Sequence, residues 1–289
     1  MNSSNPTLSK HKGKILWLAS YPKSGNTWFR SFLSALFLNG KINLQNLLLD
    51  NHFADRSVFS ELTHIDSSFL SRMEIAKYLP KLIDYYAHFV DGDRMKLVKI
   101  HDCAPQAPYE YISTTNTVAV IYLIRNPLSI AASFASHMSS TIDYAIKVMN
   151  DASYGLARQL NGLHKKAQFE QPMGTWSQHV QSWLNYQKAQ VIPVRYEDLK
   201  RTPYQTFSKV IQQLNLDFSE DEIKRAIEAS SFNKLQLLEK EDGFDEKPIS
   251  AKQFFRKGEI DAWRNELNQA QQAQIVKDHR IVMEQFGYL

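Results

Sequence analysis

The 289-residue chain contains one cysteine, Cys103. It therefore cannot form an internal disulfide or a cysteine-rich metal site. Its longest apolar-rich stretch, residues 28–38, is interrupted by polar side chains and is shorter than the ~20 residues that span a bilayer. Residues 1–13 are polar and do not follow the pattern of a secretory signal. We therefore expect a cytoplasmic protein with no membrane partner.

The chain also has little excess charge of either sign. It carries 34 Lys and Arg against 30 Asp and Glu, which gives a net charge of +4. Nucleic-acid-binding proteins usually carry a strong basic stripe, so we expect no nucleic-acid partner. A small anionic ligand is compatible with this charge.

The sequence does contain an alternation of strand and helix patterns. Short apolar runs at 15–19, 95–100, 118–124 and 191–195 predict buried strands. Helical spacing of apolar residues follows each of these runs except the second, over residues 27–37, 128–137 and 203–214. This alternation predicts the α/β class, with a parallel β-sheet flanked by helices.

The same patterns predict how the chain is divided. We expect a disordered tail over residues 1–13 and a single domain over residues 14–289, because no repeat or linker splits the chain. Residues 139–172 break the alternation and are predicted to be a helical insertion. Residues 240–262 are predicted to be a long functional loop, and a helix is expected over residues 264–286.

An eight-residue loop, Tyr-Pro-Lys-Ser-Gly-Asn-Thr-Trp, follows the first predicted strand at residues 21–28. A loop between a buried strand and a helix N-terminus offers backbone N–H groups and a positive dipole end to a phosphate. It is not a Walker A loop, because it has one glycine and the lysine precedes it. The alternative is a plain turn capped by Asn26 or Thr27.

Other segments carry groups suited to an anion or to proton transfer. Arg125 ends the third predicted strand and is followed by Ser133; an arginine offers a fork of donors to a phosphate. Lys99 and His101 fall on the same side of an extended segment. A neutral histidine, with an unperturbed pKa of ~6.5, can take a proton from a hydroxyl.

Aromatic and basic residues recur in two further segments. Tyr196 begins a Tyr-Glu-Asp sequence after the fourth predicted strand, and Ser230-Ser231-Phe232 follows later. The sequence Arg256-Lys257-Gly258 could wrap a phosphate with two cations and a backbone N–H. Taken singly, each of these segments is also compatible with core packing or a solvated surface.

In order and position, these segments resemble the motifs of sulfotransferases that use 3′-phosphoadenylyl sulfate (PAPS). The family loop reads Tyr-Pro-Lys-Ser-Gly-Thr-Thr-Trp, and this chain departs from it once, at Asn26. The resemblance spans roughly residues 14–265. It implies a P-loop nucleotide-binding-like three-layer sandwich, PAPS as co-substrate, 3′-phosphoadenosine 5′-phosphate (PAP) as product, and no metal.

The resemblance also implies roles for individual residues. The 5′-phosphosulfate would lie on the loop formed by Lys23, Ser24, Gly25, Asn26 and Thr27. The 3′-phosphate would be held by Arg125, Ser133, Arg256, Lys257 and Gly258. The adenine would be held by Trp28, Tyr196, Ser230 and Phe232. The catalytic residues would be His101 as general base, with Lys23 and Lys99.

We therefore expect an enzyme that transfers a sulfonate group from PAPS to a hydroxyl or amine of a small-molecule acceptor. Residues 42–95 and 139–172 are expected to surround that acceptor. The alternatives are a nucleoside or nucleotide kinase-like P-loop enzyme and a non-catalytic PAP-binding protein. The absence of Gly-Lys-Ser/Thr disfavours the first, and the combination of Lys23, His101 and Ser133 disfavours the second.

The sequence leaves the oligomeric state open between monomer and homodimer. The family's dimer motif, Lys-x-x-x-Thr-Val-x-x-x-Glu, is absent. Asn268-Gln269 stand where Thr-Val would be.

Overall fold

The structure is a computed structural model. It describes residues 11–47, 55–89, 95–106, 110–157, 168–247, 253–256 and 258–289. In these ranges the strands are β1 (Ile15–Ser20), β2 (Lys96–Ile100), β3 (Thr117–Ile124), β4 (Gly155–Leu156), β5 (Gln171–Pro172) and β6 (Val191–Arg195).

The helices of the described ranges follow the strands in the expected alternation. They are α1 (Asn26–Phe37), α2 (Arg56–Thr63), α3 (Arg72–Phe89), α4 (Pro127–Met138), α5 (Ile142–Met149), α6 (Trp176–Leu184), α7 (Tyr196–Arg201), α8 (Pro203–Gln213), α9 (Glu220–Ala229), α10 (Phe232–Asp242) and α11 (Gln269–Gln285). Within this part of the chain, no helix is both long and apolar enough to cross a membrane.

Four of the strands form the central sheet in the order β2-β1-β3-β6. β1 and β2 are parallel, with Ala19 opposite Ile100, so both strands end at the same edge of the sheet. Every residue of β1 is buried, as expected for a strand covered on both faces by helices. The predicted α/β class with a parallel sheet flanked by helices is confirmed.

The segment 139–172 differs from the predicted helical insertion. It contains α5, but β4 and β5 pair as a two-stranded antiparallel ribbon, and residues 158–167 lie outside the described ranges. Strands of two residues are too short to show a periodicity in the sequence. The helical prediction therefore holds only for the first part of the segment.

At both ends of the chain, the structure also differs from the prediction. Residues 11–13 of the predicted tail form a turn, and residues 1–10 lie outside the described ranges. The C-terminal helix begins at Gln269 instead of 264, because Asn268 and Gln271 form a capping box in which each side chain accepts from the other's backbone N–H. The residue at the family's dimer-motif position thus starts a helix here.

The chain divides into two compact units. Unit 1 contains Met1–Ala19, Leu49–Tyr122 and Ala152–Pro193; unit 2 contains Ser20–Leu48, Leu123–Asp151 and Val194–Leu289. Unit 2 has an aromatic core in which the rings of Phe32 and Phe207 stack with centroids 3.7 Å apart. Its helix α1 packs on α9, and α4 packs on α5 and α11. The single domain predicted for residues 14–289 stays a prediction.

Candidate functional site

The loop after β1 leads directly into the N-terminus of α1. Gly25 is the N-cap residue, with φ 96°, and no described side chain caps the helix. The Asn26 amide instead donates to Ser20 Oγ at 3.1 Å. The alternative of a turn capped by Asn26 or Thr27 is therefore wrong, and this end of the helix keeps its capacity to bind an anion.

The side chains of this loop are held in place by packing. Ser24 is fully buried, and its Oγ has no hydrogen-bond partner among the described residues. Lys23, itself at a positive φ of 69°, places its ammonium 4.6 Å from the centre of the Phe254 ring. A buried hydroxyl without a partner carries a cost of about 1–3 kcal/mol that a bound acceptor would remove.

Arg125 connects the loop to neighbouring segments of unit 2. Its Nη1 donates to the carbonyl oxygen of Lys23 at 2.9 Å, and Nη2 lies 3.4 Å from the carbonyl oxygen of Glu259. The guanidinium carbon lies 4.3 Å from the centre of the Tyr196 ring. Its buried Nε has no partner among the described residues, so one donor of the fork stays available to an anion.

Glu197 fixes the turn that carries Arg125. This carboxylate is almost completely buried, accepts from the backbone N–H of Asn126 at 3.0 Å and accepts from the Tyr288 hydroxyl at 3.0 Å. A role was expected for the neighbouring Tyr196 but not for Glu197. The available signal was the glutamate of the Tyr-Glu-Asp sequence.

The four residues predicted to hold adenine lie together in unit 2. The Trp28 indole N–H donates to the carbonyl oxygen of Ser230 at 2.9 Å. Its ring meets that of Tyr196 edge-to-face, with centroids 5.6 Å apart. The Ser230 hydroxyl donates back to the carbonyl oxygen of Ala226, so this residue fixes Trp28 through its backbone. Phe232 is partly buried against the same hydrophobic cluster as Trp28.

Helix α10 anchors the loop that contains the Arg-Lys-Gly sequence. The Glu239 carboxylate accepts from the backbone N–H groups of Phe254 and Phe255 at 2.5 and 3.0 Å. The Gln236 amide donates to the carbonyl oxygen of Phe255 at 2.7 Å. Sequence reasoning missed both polar residues, because they resemble solvated positions of an amphipathic helix.

The residues predicted to hold the 3′-phosphate besides Arg125 have different surroundings in the structure. Arg256 forms an ion pair with Glu266 at 2.9 Å, and Lys257 lies outside the described residues. The carbonyl oxygen of Gly258 accepts from the Tyr196 hydroxyl at 3.2 Å. Ser133 is half-buried on α4.

Two glycines of this site have no room for a side chain. A Cβ at Gly25 would lie 2.7 Å from the Tyr196 ring, and one at Gly258 would lie 2.5 Å from the Phe232 ring. Both residues also have positive φ, at 96° and 63°. The backbone therefore approaches these two aromatic side chains closely, and neither position accommodates a side chain without movement.

Unit 1 contains His101, which follows β2. Side chains of helix α6 donate hydrogen bonds to the backbone of this segment. His179 Nε2 donates to the carbonyl oxygen of His101 at 3.0 Å, and the Trp183 indole N–H donates to that of Asp102 at 3.0 Å. Burial lowers the pKa of His179 to about 4, so its ring is neutral at neutral pH. Nδ1 then accepts from the Tyr122 hydroxyl, at 2.8 Å.

A cavity of about 1180 Å³ lies within unit 1. Lys99 and Asp102 line it, with residues from 56–79 and from 152–174. Both chain regions expected to surround an acceptor thus contribute to it. His101 is half-buried and is not among the described side chains that line this cavity.

Two further groups at this cavity have altered acidity. Burial raises the pKa of Asp102 to about 7, against the opposing effect of the Arg72 charge. Burial likewise raises the pKa of the Cys103 thiol to about 11, and its Sγ contacts the carbonyl oxygen of Met173 at 2.7 Å. A thiol with so high a pKa is a poor nucleophile at neutral pH.

A parallel sheet whose strands lead into an uncapped helix N-terminus, half-buried cations and an aromatic cluster is the architecture of a ligand-binding α/β protein. A sequence model of the family described as "Sulfotransferase domain" matches residues 14–287, so the chain belongs to the sulfotransferase family. It is an enzyme that transfers sulfonate groups. The recognition of this family in the sequence is confirmed, and the kinase-like and non-catalytic alternatives lose their support.

Similar proteins come from plants and animals. Cytosolic sulfotransferase 13 of Arabidopsis thaliana is 26% identical over 86% of this chain and 71% of its own length. Sulfotransferase 1E1 of Bos taurus is 22% identical over 93% of this chain and 92% of its own length.

Solved structures share the fold. Mouse sulfotransferase SULT7A1 complexed with PAP has a TM-score of 0.60 at 18% identity, covering 98% of this chain and 90% of that one. Retinol dehydratase in complex with androsterone and the inactive cofactor PAP has a TM-score of 0.61 at 19% identity, covering 96% and 83%.

Proposed function

We propose that this enzyme transfers the sulfonate group of PAPS to a hydroxyl or amine of a small-molecule acceptor, with His101 as the general base. The observation that carries the proposal is the gathering in unit 2 of the predicted nucleotide-binding residues that the structure describes. Two of them, Ser24 and Arg125, keep a buried polar atom without a partner among the described residues.

The residues of unit 2 fit the parts of PAPS. The uncapped N-terminus of α1, with Lys23, Ser24 and Thr27, would hold the 5′-phosphosulfate. Arg125 and Ser133 would hold the 3′-phosphate, with Arg256, Lys257 and the backbone of Gly258. Trp28, Tyr196 and Phe232 would hold the adenine, for which stacking on aromatic rings contributes ~1–3 kcal/mol per base.

When bound, PAPS supplies the activated sulfonate. His101 would accept the proton of the acceptor group as that group becomes a nucleophile. Side chains of α6 hold the backbone of this segment through hydrogen bonds, and this fixes the Cα position from which the imidazole of His101 extends. Lys23 and Lys99 would offset the negative charge of the transferred and leaving groups. We expect the reaction to need no metal, and that expectation stays a prediction.

The cavity of unit 1 supports a small-molecule acceptor. Its volume of about 1180 Å³ is somewhat larger than ordinary ligand pockets, which are roughly 300–1,000 Å³. Its wall includes apolar residues, such as Leu70 and Ile75, and charged ones, such as Arg72 and Asp102. A bulky acceptor with an apolar body and a few polar groups suits this lining.

A cytoplasmic location is part of the proposal. It is supported by the printed name of a relative, cytosolic sulfotransferase 13.

The test is transfer of labelled sulfonate from PAPS to a panel of phenols, alcohols and amines, by the unmodified enzyme and by His101→Ala. The variant should lose transfer by a factor of roughly 100 or more, as general-base catalysts do, and keep its affinity for PAP within about threefold. His137→Ala, an exposed histidine on α4, is the matched control. An equal loss of transfer and PAP affinity would contradict the base assignment.

A further inference from the structure

Lys200 lies on α7 and is not among the residues to which the sequence motifs assign a role. Its ammonium is 5.5 Å from the centre of the Trp28 ring and 5.6 Å from the centre of the Phe232 ring. Both distances fall within the ≈ 6 Å range of cation–π contacts. A lysine at the end of a short polar helix usually points into solvent, but this one is half-buried against the proposed adenine site.

A second cation lies on the same group of rings. Arg125 is 4.3 Å from the centre of the Tyr196 ring, and the Tyr196 and Trp28 rings are 5.6 Å apart. Arg125 and Lys200 thus contact neighbouring rings, those of Tyr196 and Trp28, in one aromatic cluster. Their charges interact, because burial and then the Arg125 charge lower the pKa of Lys200, while the Glu259 charge opposes them.

The described residues provide Lys200 with no hydrogen-bonded or ion-paired carboxylate. Arg256 differs, since Glu266 already neutralises it at 2.9 Å. Two half-buried cations close enough to repel each other cost stability, and a dianion bound beside them would offset that cost. The 3′-phosphate of PAPS is a group of that charge.

We propose that Lys200 is a further nucleotide-binding residue, which supplies a cation to the 3′-phosphate beside Arg125. This proposal rests on the proposed use of PAPS. It assigns to the helix that follows Tyr196 a share in phosphate recognition. Among the described residues Lys200 is a cation without an ion-paired carboxylate, while Arg256 is engaged with Glu266.

Isothermal titration calorimetry with two probes, PAP and adenosine 5′-monophosphate (AMP), tests this role because the probes differ in the 3′-phosphate. Lys200→Met should weaken PAP binding by roughly tenfold to a hundredfold, the loss expected for a charge-assisted hydrogen bond. It should change AMP binding by less than about threefold. Lys200→Arg should keep PAP affinity within about threefold of the unmodified protein.

Lys224→Met is the matched control, because Lys224 also contacts an aromatic ring, that of Tyr204, but forms an exposed ion pair with Glu220 on α9. Unchanged PAP binding in Lys200→Met, or an equal loss for PAP and AMP, would overturn the proposal. If Lys200→Met does not fold, Lys200→Gln and Lys200→Arg give the same comparison. Failure of the unmodified protein to bind PAP would instead contradict the proposed function.

Discussion

At the residue scale, the proposed nucleotide site contains two buried donors that have no acceptor among the described residues. Ser24 Oγ and Arg125 Nε are both buried and without a partner in the described part of the chain. Each costs about 1–3 kcal/mol unless a ligand supplies the missing acceptor. The two groups lie in separate loops joined by the hydrogen bond from Arg125 to the carbonyl oxygen of Lys23, a placement compatible with a bound anion.

Asp102 gives a residue-scale prediction about pH. Burial raises its pKa from 3.8 to about 7, so between these values the folded protein holds a proton that the unfolded chain releases. The contribution of this carboxyl to stability is therefore complete below about pH 4 and falls as pH rises through about 7. Asp102→Asn keeps the shape of the side chain and stays neutral at every pH. The free energy of unfolding of this variant, relative to that of the unmodified protein, should therefore increase with pH.

Urea unfolding of both proteins at about pH 5 and about pH 8 measures this difference in the free energy of unfolding. Glu110→Gln, another cavity-lining carboxyl, serves as the control. A stability difference between Asp102→Asn and the unmodified protein that is the same at both pH values would contradict the raised pKa.

Motif residues could be predicted from the sequence, but their supporting residues could not. Lys23 and Arg125 stand in segments whose type and order resemble one family, so their place near a nucleotide could be expected. Glu239 and Lys200 stand on helices where a charged residue usually faces water. Only the folded chain shows that one anchors a loop and the other faces aromatic rings.

At the element scale, one helix in each unit holds a segment to which we assign a function. α10 holds the loop before Gly258 through Glu239 and Gln236. α6 holds the backbone of His101 and Asp102 through His179 and Trp183. Neither role could be predicted from the sequence, because the contacts of both helices are to backbone atoms distant in sequence, and residues 240–242, expected to be loop, complete α10.

The loop at Gly258 gives an element-scale prediction. Gly258→Ala would put a Cβ 2.5 Å from the Phe232 ring, at a backbone φ of 63°. The loop or the ring must then move, and PAP affinity should fall by roughly tenfold or more. The measurement is PAP titration of purified protein.

Gly287→Ala is the matched control, because Gly287 has nearly the same φ, 64°, and open space around it. It carries the backbone strain without the clash. Equal PAP affinities for the two variants would show that the close contact of Gly258 with Phe232 does not shape the site.

The strand and helix bounds show what local pattern can and cannot predict. β6 is found at the predicted residues, and α4 and α8 within a residue of theirs, because their apolar spacing is long enough to be distinctive. β4 and β5 are two residues each and depend on each other for pairing. No local signal marks such strands.

At the scale of the whole molecule, the proposed roles divide between the two units. The described residues proposed to bind PAPS all belong to unit 2, which gathers them from three separate stretches of chain. His101, Lys99 and the cavity belong to unit 1. The weak net charge of +4 hides this arrangement, because the relevant cations are concentrated in one small region.

Thermal unfolding of the unmodified protein with PAP, with ATP and in buffer tests the central claim most directly. A ligand that binds only the folded state raises the midpoint, by an amount that grows with its concentration over its Kd. PAP should raise the midpoint, by several degrees at a concentration of about 100 times Kd, and ATP should change it far less. An equal rise with ATP, or no rise with PAP, would contradict the account.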